Sequence, residues 1–528
     1  MKEKELSVTI NEYGKELFVT AKEGEGLKDI LDRAGVKYSL PCGGAGKCGK
    51  CRIKFLGGAP DPGSFEEMFL TEKEIGEGVR LLCKTRVYED CVVELAESAR
   101  DEGIEAVSLN KDEFTQATEE GSYGIAVDLG TTTIAAALIE ISPDSGGYQV
   151  LRTACCANSQ RRYGGDVISR ISAAEDKAIL EDLRKAAVTD IERLVKELAT
   201  SENITYTGKA PALKTITIAG NTTMLYLLAG RDPESLGRYP YRAEHLKKER
   251  MLSGAILDNI PDISLTLLPG ISAFVGADIV AGLFTLDLDN KEKFFFLDLG
   301  TNGEMAFYDG GRLKVASAAA GPVFEAGGIS CGTASIPGAI SHVKIEGTDR
   351  KVSIETIGDA EPIGICGTGV MEVTSELVKN HLADETGLLT DEYFDEGFPL
   401  TEDGRIRFTQ QDIRNVQLAK AAIYTGAKAL LNGDIPDRVY ISGGFGSKIS
   451  PENVEELQMF PGEFNGKILP IGNSALKGAA DYTAAVLMGG DKERDADAKL
   501  NLITRMAQWT ELASLEGFDE NYINAMNF

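Results

Sequence analysis

The chain has 528 residues, 43% hydrophobic and 26% charged, the balance of a folded globular protein and not of a disordered one. Its formal charge of −27, from 55 Lys and Arg against 82 Asp and Glu, repels phosphate backbones and argues against a nucleic-acid partner. No run of 18 apolar residues exists; Ile271 to Leu286 comes closest and Asp278 interrupts it, so no membrane partner is expected. The N-terminus lacks the apolar core and cleavage site of a signal peptide, and the expected location is the cytoplasm. In that reducing compartment nine Cys point to metal ligands or buried thiols and not to disulfides.

A single core stops growing near about 250–300 residues, so the chain must divide. Acidity is uneven: residues 1–100 hold 16 basic and 18 acidic residues, a net of −2, which leaves −25 for the rest. Residues 2–20 alternate apolar and polar around Asn11-Glu12-Tyr13-Gly14, the pattern of a β-hairpin. Leu27, Ile30 and Leu31 mark a short helix, a Cys-rich loop follows, and strands are expected over Cys51–Leu56 and Cys91–Leu95. Residues 97–121 are charged and weakly periodic and read as a linker. Beyond Tyr123 strands alternate with longer helical stretches, among them 165–200, opened by Asp166, and 415–432. The last stretch, from about Asn501, reads as helical and holds the single Trp, Trp509.

The Cys-rich loop runs Cys42-Gly-Gly-Ala-Gly-Lys-Cys48-Gly-Lys-Cys51, with Cys83 further on. Three thiolates on one Gly-rich loop can surround a compact cluster, and glycines bring backbone N–H groups toward its sulfurs. A fourth thiolate from a distant segment closes the coordination. A 2Fe–2S cluster fits this spacing best; structural zinc, which usually shows two CxxC-like pairs, and free thiols are the alternatives. Cys91, Cys155, Cys156, Cys331 and Cys366 read as buried small apolar groups. Residues 1–95 resemble a β-grasp 2Fe–2S ferredoxin, with spacing closer to adrenodoxin-like members than to plant-type ones.

The second signal is an internal repeat, VDLGTTT at 127–133 and LDLGTNG at 297–303, with the two Asp 170 positions apart. In each copy an apolar strand ends in Asp-Leu-Gly-Thr and a second strand returns. The turn points N–H groups and Thr hydroxyls at an anion, and the Asp can hold hydrated Mg²⁺ or orient water. A third element, Ile441-Ser-Gly-Gly-Phe445-Gly, ends a strand with glycines against which an adenine can lie. Ordinary hairpins also choose Gly and Thr, but they do not explain Asp at the same offset twice. Ile218-Ala-Gly-Asn221-Thr-Thr and Gly364-Ile-Cys-Gly367-Thr-Gly369 are equally readable as site segments or as close helix–strand packing.

The pattern resembles the superfamily of acetate and sugar kinases, actin and heat-shock chaperone ATPases. That resemblance makes Asp128 and Asp298 the catalytic candidates. It assigns phosphate contacts to Gly130, Thr131, Thr132, Thr133, Gly300, Thr301 and Asn302, and adenosine contacts to Gly443, Gly444 and Phe445. It implies two ribonuclease-H-like lobes, about 123–290 and 291–490. The expected class is therefore multidomain α/β and α+β: a ferredoxin domain (1–96), a linker (97–122), a two-lobed actin-type nucleotide domain (123–490) and a helical tail (491–528).

The whole chain resembles the reductive activators of corrinoid-dependent methyltransferases and corrinoid iron–sulfur proteins, through its domain order and through YGGDVISRI (163–171), GICGTGV (364–370), SGGFGS (442–447) and ELASLEGFDENYINAMNF (511–528). The resemblance implies ATP, Mg²⁺ and a 2Fe–2S cluster held by Cys42, Cys48, Cys51 and Cys83. It implies a corrinoid protein whose Co(II) is reduced to Co(I), an upstream low-potential reductant, and an assembly left open between monomer and homodimer. Some members carry an extra module between linker and nucleotide domain; the motif at Asp128 leaves no room for one. The competing expectations are an electron donor to a 2-hydroxyacyl-CoA dehydratase, an ATP-gated redox-sensing module and a small-molecule kinase.

Overall fold

The computed structural model describes residues 5–12, 15–36, 38, 49, 51–95, 121–141, 147–207, 211–260, 262–288, 290–347, 350–443 and 451–528. Up to residue 120 the expected linker lies outside them, as do Cys42, Cys48, Gly444 and Phe445. The described residues pack as two compact units, one drawn from 1–103, 157–190 and 226–240, the other from 104–156, 191–225 and 241–528.

In the first unit, alternation buries Leu6, Val8 and Ile10 of β1 (Glu5–Glu12), which pairs antiparallel with β2 (Lys15–Lys22). Helix α1 (Leu27–Ala34) buries Leu27, Ile30 and Leu31, an i, i+3, i+4 stripe, and stops at Gly35 in the left-handed conformation. With β3 (Arg52–Gly57), β4 (Val79–Leu81) and β5 (Cys91–Leu95) the sheet order is β2-β1-β5-β3-β4, with β1 and β5 parallel. One mixed sheet thus closes its apolar face over one helix, the β-grasp arrangement.

The helix expected over 165–200 is two helices, α2 (Val167–Ala173) and α3 (Lys177–Ser201). Asp166 caps the first through the Ser169 N–H, and Asp176 accepts the Ala178 N–H at 2.8 Å, restarting the chain as a second helix. Arg170 of the YGGDVISRI segment is fully buried, donating to the Gly164 carbonyl at 2.8 Å and to Gln160 Oε1 at 3.2 Å. These bonds satisfy a charge that burial would otherwise make costly.

The second unit holds two six-stranded sheets. The first consists of β6 (Ser122–Leu129), β7 (Thr133–Ile141), β8 (Tyr148–Ala157), β9 (Leu213–Gly220), β10 (Glu249–Leu252) and β11 (Ser264–Leu267), ordered β8-β7-β6-β9-β11-β10. The second contains β12 (Phe294–Leu299), β13 (Gly303–Tyr308), β14 (Leu313–Ala318), β15 (Arg438–Ser442), β16 (Ile468–Gly472) and β17 (Ala507–Trp509), ordered β16-β15-β12-β13-β14-β17. Each has the same plan: β6 and β12 pair antiparallel with the next strand on one side and parallel with β9 and β15 on the other. This is the duplicated ribonuclease-H-like architecture. Helices α4 (Ala277–Phe284), α5 (Gln410–Leu431), α6 (Ser474–Met488) and α7 (Gly490–Met506) complete the frame. One core joins Ala126 and Ile139 of the first sheet, Val280 and Ala281 of α4, Phe294 and Phe296 of the second sheet, and Ala479 and Ala480 of α6. Gly478 lets α6 approach α4 so closely that a Cβ there would overlap the Ala281 carbonyl.

The segment expected as a helical tail is helical over Gly490–Met506 and Phe518–Asn524, with a correction between them. Helix α7 ends at Met506 and the chain turns extended into β17, which pairs parallel with β14 through Leu313↔Ala507 and Val315↔Trp509. Trp509 also stacks on Phe274, with ring centroids 5.7 Å apart. Open backbone at the sheet edge and an aromatic partner override helical propensity there. Among the described residues no helix is long and apolar enough to cross a membrane.

Candidate cluster and nucleotide sites

Cys51 enters β3 and Cys83 follows β4, and their Sγ atoms lie 3.2 Å apart. Leu82 N–H donates to the Cys51 carbonyl at 2.8 Å, which draws the two segments together. The loop bearing Cys83 is pinned by Glu66, 5% exposed: one carboxylate oxygen accepts from Leu81 N–H (3.1 Å) and Thr85 Oγ1 (3.2 Å), the other from Gly63 N–H (2.6 Å). The sequence reading missed Glu66; its signal is an acid three residues past Gly63 in a turn-to-helix junction. Gly49 adopts φ +64 with Phe69 2.6 Å from where a Cβ would stand, so only glycine fits there. Thiolates on one tetrahedral ion with metal–sulfur bonds of about 2.3 Å stand about 3.8 Å apart, so Cys51 and Cys83, at 3.2 Å, would move apart by a few tenths of an ångström to share one ion. Without a cation the contact with Cys83 and then burial push the Cys51 thiol up; a bound metal reverses that preference. Cys91 faces the β-grasp core, its thiol raised to about 11 by burial and by Asp90 and Glu89. Cys156 and Cys366 are buried as expected, whereas Cys155 and Cys331 are only partly so.

In the second unit the two repeated motifs are β-hairpins. In the first, Gly130 N–H donates to the Thr133 carbonyl at 3.0 Å, and a Cβ on Gly130 would stand 2.6 Å from that same oxygen. In the second, Gly300 N–H donates to the Asn302 carbonyl at 3.1 Å, and Gly300 has open space around it. Asp128 sits at the end of β6, beside Ala219 of β9, and Asp298 at the end of β12, beside Ser442 of β15. Ser442 Oγ donates to Asp298 Oδ2 at 3.0 Å, and Asn473, which caps α6, donates to Asp128 Oδ2 at 2.8 Å. Gly443 has φ +97 and its Cβ position lies 2.5 Å from the Leu299 carbonyl.

Three acids that sequence reading did not single out as site residues join the two Asp. Asp278 stands in the first turn of α4, Glu304 pairs with Asp298 across the hairpin, and Glu325 closes a short 3-10 turn (Pro322–Glu325). Glu325 Oε2 accepts from Thr132 Oγ1 at 3.3 Å and from Thr301 Oγ1 at 3.2 Å, touching both hairpins. Burial pushes Asp128 and Asp278 up to about 7 and Asp298 up to about 6; like charges add to the first two, while hydrogen bonds to Asn473 and Ser442 oppose the rise at Asp128 and Asp298. Glu304 is driven well above the usual range by burial and by Asp278 and Asp298. Burial raises Glu325 as well, but its surface is exposed, so solvent weakens that push.

The two undecided glycine segments resolve differently. Asn221 belongs to the site: its Nδ2 donates to Thr131 Oγ1 at 2.9 Å and its Oδ1 caps the Met224 N–H at 3.0 Å. Gly367 and Gly369 serve packing, since a Cβ on either would overlap the carbonyls of Phe324 and Ile340. Strand neighbours and helix caps carry no local sequence period, which is why the sequence does not point to Asn473 or Glu325.

A β-grasp fold with a close thiol pair, in one chain with duplicated ribonuclease-H-like sheets whose strand ends gather carboxylates and threonines, defines a ferredoxin joined to an actin-type ATP-binding domain. Three family models match: a 2Fe–2S iron–sulfur cluster binding domain over 10–88, the RACo middle region over 123–291, and the C-terminal domain of RACo, the ASKHA domain, over 292–528. The chain belongs to the RACo family of reductive activators of corrinoid proteins. It is 27% identical to the corrinoid activation enzyme RamQ of Eubacterium limosum, covering 94% of this chain and 95% of that protein. It is 28% identical to the [Co(II) methylated amine-specific corrinoid protein] reductase of Methanosarcina barkeri, over 67% and 68% of the two chains. The solved structure of a reductive activator for corrinoid, iron–sulfur protein aligns over 99% of this chain and 98% of its own, at 26% identity and a TM-score of 0.67. The matched middle region, 123–291, lies between the expected linker and the matched ASKHA domain and carries Asp128 on β6.

Proposed function

We infer that this protein is an ATP-dependent reductive activator, delivering one electron to a corrinoid protein and converting inactive Co(II) to Co(I). The observation that carries the reading is the combination, in one chain of this family, of the Cys51–Cys83 pair with a cleft where both phosphate hairpins end in carboxylates. The named activities of the relatives in Eubacterium limosum and Methanosarcina barkeri support a corrinoid protein as target.

Cys42, Cys48, Cys51 and Cys83 would hold a 2Fe–2S cluster, which would supply a one-electron store. The protein's part is to hold that store in a rigid sheet, with Glu66 fixing the Cys83 loop. An upstream low-potential reductant is the proposed source of that electron. Each 59 mV that one electron climbs costs about 1.4 kcal/mol, which is the task assigned to ATP.

In the nucleotide cleft, Thr131, Thr132, Thr133, Thr301 and Asn302 offer donors to the phosphates, while Gly130 and Gly300, whose N–H groups close the two hairpins, leave room for the phosphates to approach the backbone. Gly443, Gly444 and Phe445 receive the adenosine. Asp128, Asp278 and Asp298 alone would repel a polyphosphate; Asp128 and Asp298 would hold Mg²⁺, which would offset that charge. Asn473 and Ser442 hold those two carboxylates in place. Nucleotide binding can shift the protein only through contacts that differ between two arrangements, and hairpins on two separate sheets provide such contacts. Ferredoxin (1–96), linker (97–122), nucleotide domain (123–490) and tail (491–528) are the proposed working divisions, and the cytoplasm the proposed location.

The test follows the visible spectrum of a Co(II) corrinoid protein mixed with this protein and a reductant, with and without ATP. Co(I) is expected only with ATP. A reducible cluster that yields no Co(I) across a panel of corrinoid partners would overturn the reading.

A further inference from the structure

Glu325 touches both phosphate hairpins through one carboxylate oxygen, at 3.3 Å from Thr132 Oγ1 and 3.2 Å from Thr301 Oγ1. The other four acids of the cleft are held differently. Asp128 is bonded by Asn473 and Asp298 by Ser442. Asp278 accepts the Ile279 N–H at 2.8 Å within its own helix, and Glu304 lies in strand register opposite Asp298. Glu325 alone among them sits on a turn and keeps an exposed surface.

That turn is a rigid platform. Gly321 has φ +72 and Ala326 φ +60, so left-handed residues bracket it. Val323 and Phe324 on either side of the turn's centre are buried at 5% and 2% exposure, and Gly367 packs against the Phe324 carbonyl. A non-glycine residue in the left-handed region is a strain that persists where surrounding structure fixes it.

Each threonine hydroxyl has one proton to donate. While Thr132 and Thr301 donate to Glu325 they cannot donate to phosphate oxygens. A phosphate anchored by both hairpins would take those two protons and leave the Glu325 oxygen free of them, facing the same hairpins.

Resting on the ATP-hydrolysing reading above, the geometry points to Glu325 as the general base of the hydrolysis step. Its carboxylate takes a proton from water, the water oxygen bonds to the γ-phosphorus, and the bond from that phosphorus to the β–γ bridging oxygen breaks. ADP and inorganic phosphate form, and Glu325 returns its proton to the solvent its surface already meets. General-base removal typically costs about 10²–10⁴-fold in rate.

The experiment measures steady-state ATP hydrolysis by the full chain, with its cluster, in the presence of Mg²⁺ and a Co(II) corrinoid protein. For E325Q, kcat is expected to fall about 10²-fold or more. KM for ATP should stay unchanged or fall, because the amide oxygen still accepts from both threonines. E325D should recover part of kcat, since it restores a base on a shorter arm. Retention of kcat within about threefold of wild type in E325Q overturns the inference, as does a parallel loss of nucleotide affinity and thermal stability that E325D does not relieve. If the wild-type protein hydrolyses no ATP, the functional reading falls and this inference with it; wild-type turnover with an active E325Q removes this inference alone.

Discussion

Asn473 donates to Asp128 Oδ2 at 2.8 Å while its own Oδ1 accepts the Leu476 N–H at 2.8 Å, so the cap of α6 holds a carboxylate at the end of β6. One amide thereby fixes the start of a helix and the orientation of a site residue 345 positions earlier. N473A should cost about 1 kcal/mol for the cap and more for the lost bond to a carboxylate, and lower ATP hydrolysis at least tenfold. N473D keeps the cap and sets a second negative charge against Asp128; it should melt closer to wild type yet bind Mg²⁺-ATP more weakly. Calorimetry and nucleotide titration separate the two, and an N473D that binds as tightly as wild type would count against Asp128 as a metal-holding group.

The Glu66 carboxylate gathers Gly63, Leu81 and Thr85 around the Cys83 loop. E66A leaves the Gly63 and Leu81 N–H groups without that carboxylate, at about 1–3 kcal/mol each, while the Thr85 hydroxyl keeps the Leu81 carbonyl at 2.8 Å. Faster loss of cluster absorbance on mild heating or chelation is expected, with ATP affinity unchanged. Cluster loss at the wild-type rate would show that Cys83 is held without Glu66.

Two glycines that look equivalent in the repeat differ in their surroundings. A Cβ on Gly130 meets the Thr133 carbonyl at 2.6 Å, whereas one on Gly300 meets nothing within 4 Å. G130A should lower stability by about 1–3 kcal/mol, and G300A should fold like wild type within about 0.5 kcal/mol. If G300A also folds but loses ATP, the phosphate approaches that backbone more closely than a methyl group allows.

The raised carboxylates give stability a definite sign with pH. Folded Asp128 and Asp278 titrate near about 7 and Asp298 near about 6, above the ordinary value of 3.8, so between those limits the folded state binds more protons than the unfolded chain. Their stabilising contribution is complete at low pH and is lost as pH rises through 6–7. D298N cannot ionise at that position. Relative to wild type, its Tm should therefore improve from about pH 4 to about pH 6 and level off above that. A difference that stays flat, or runs the other way, would mean that solvent or a bound cation already neutralises Asp298.

Much of this was legible in the sequence, and for a physical reason. The Cys spacing, the alternation of β1 and β2, the Leu27–Ile30–Leu31 stripe and the doubled Asp-Leu-Gly-Thr turns are local patterns whose chemistry needs those residues within a few positions of one another. The linear chain could not show that β6 and β12 would end beside Asn473 and Ser442, that Asp278 and Glu304 would share their field, or that Glu325 would reach both hairpins. Nor did it show that the chain after α7 would add an edge strand where a helix was expected. Those relations are set by sheet register and by helices packed between the sheets. They join residues far apart in sequence whose types carry no periodic signal, so only the tertiary structure decides them.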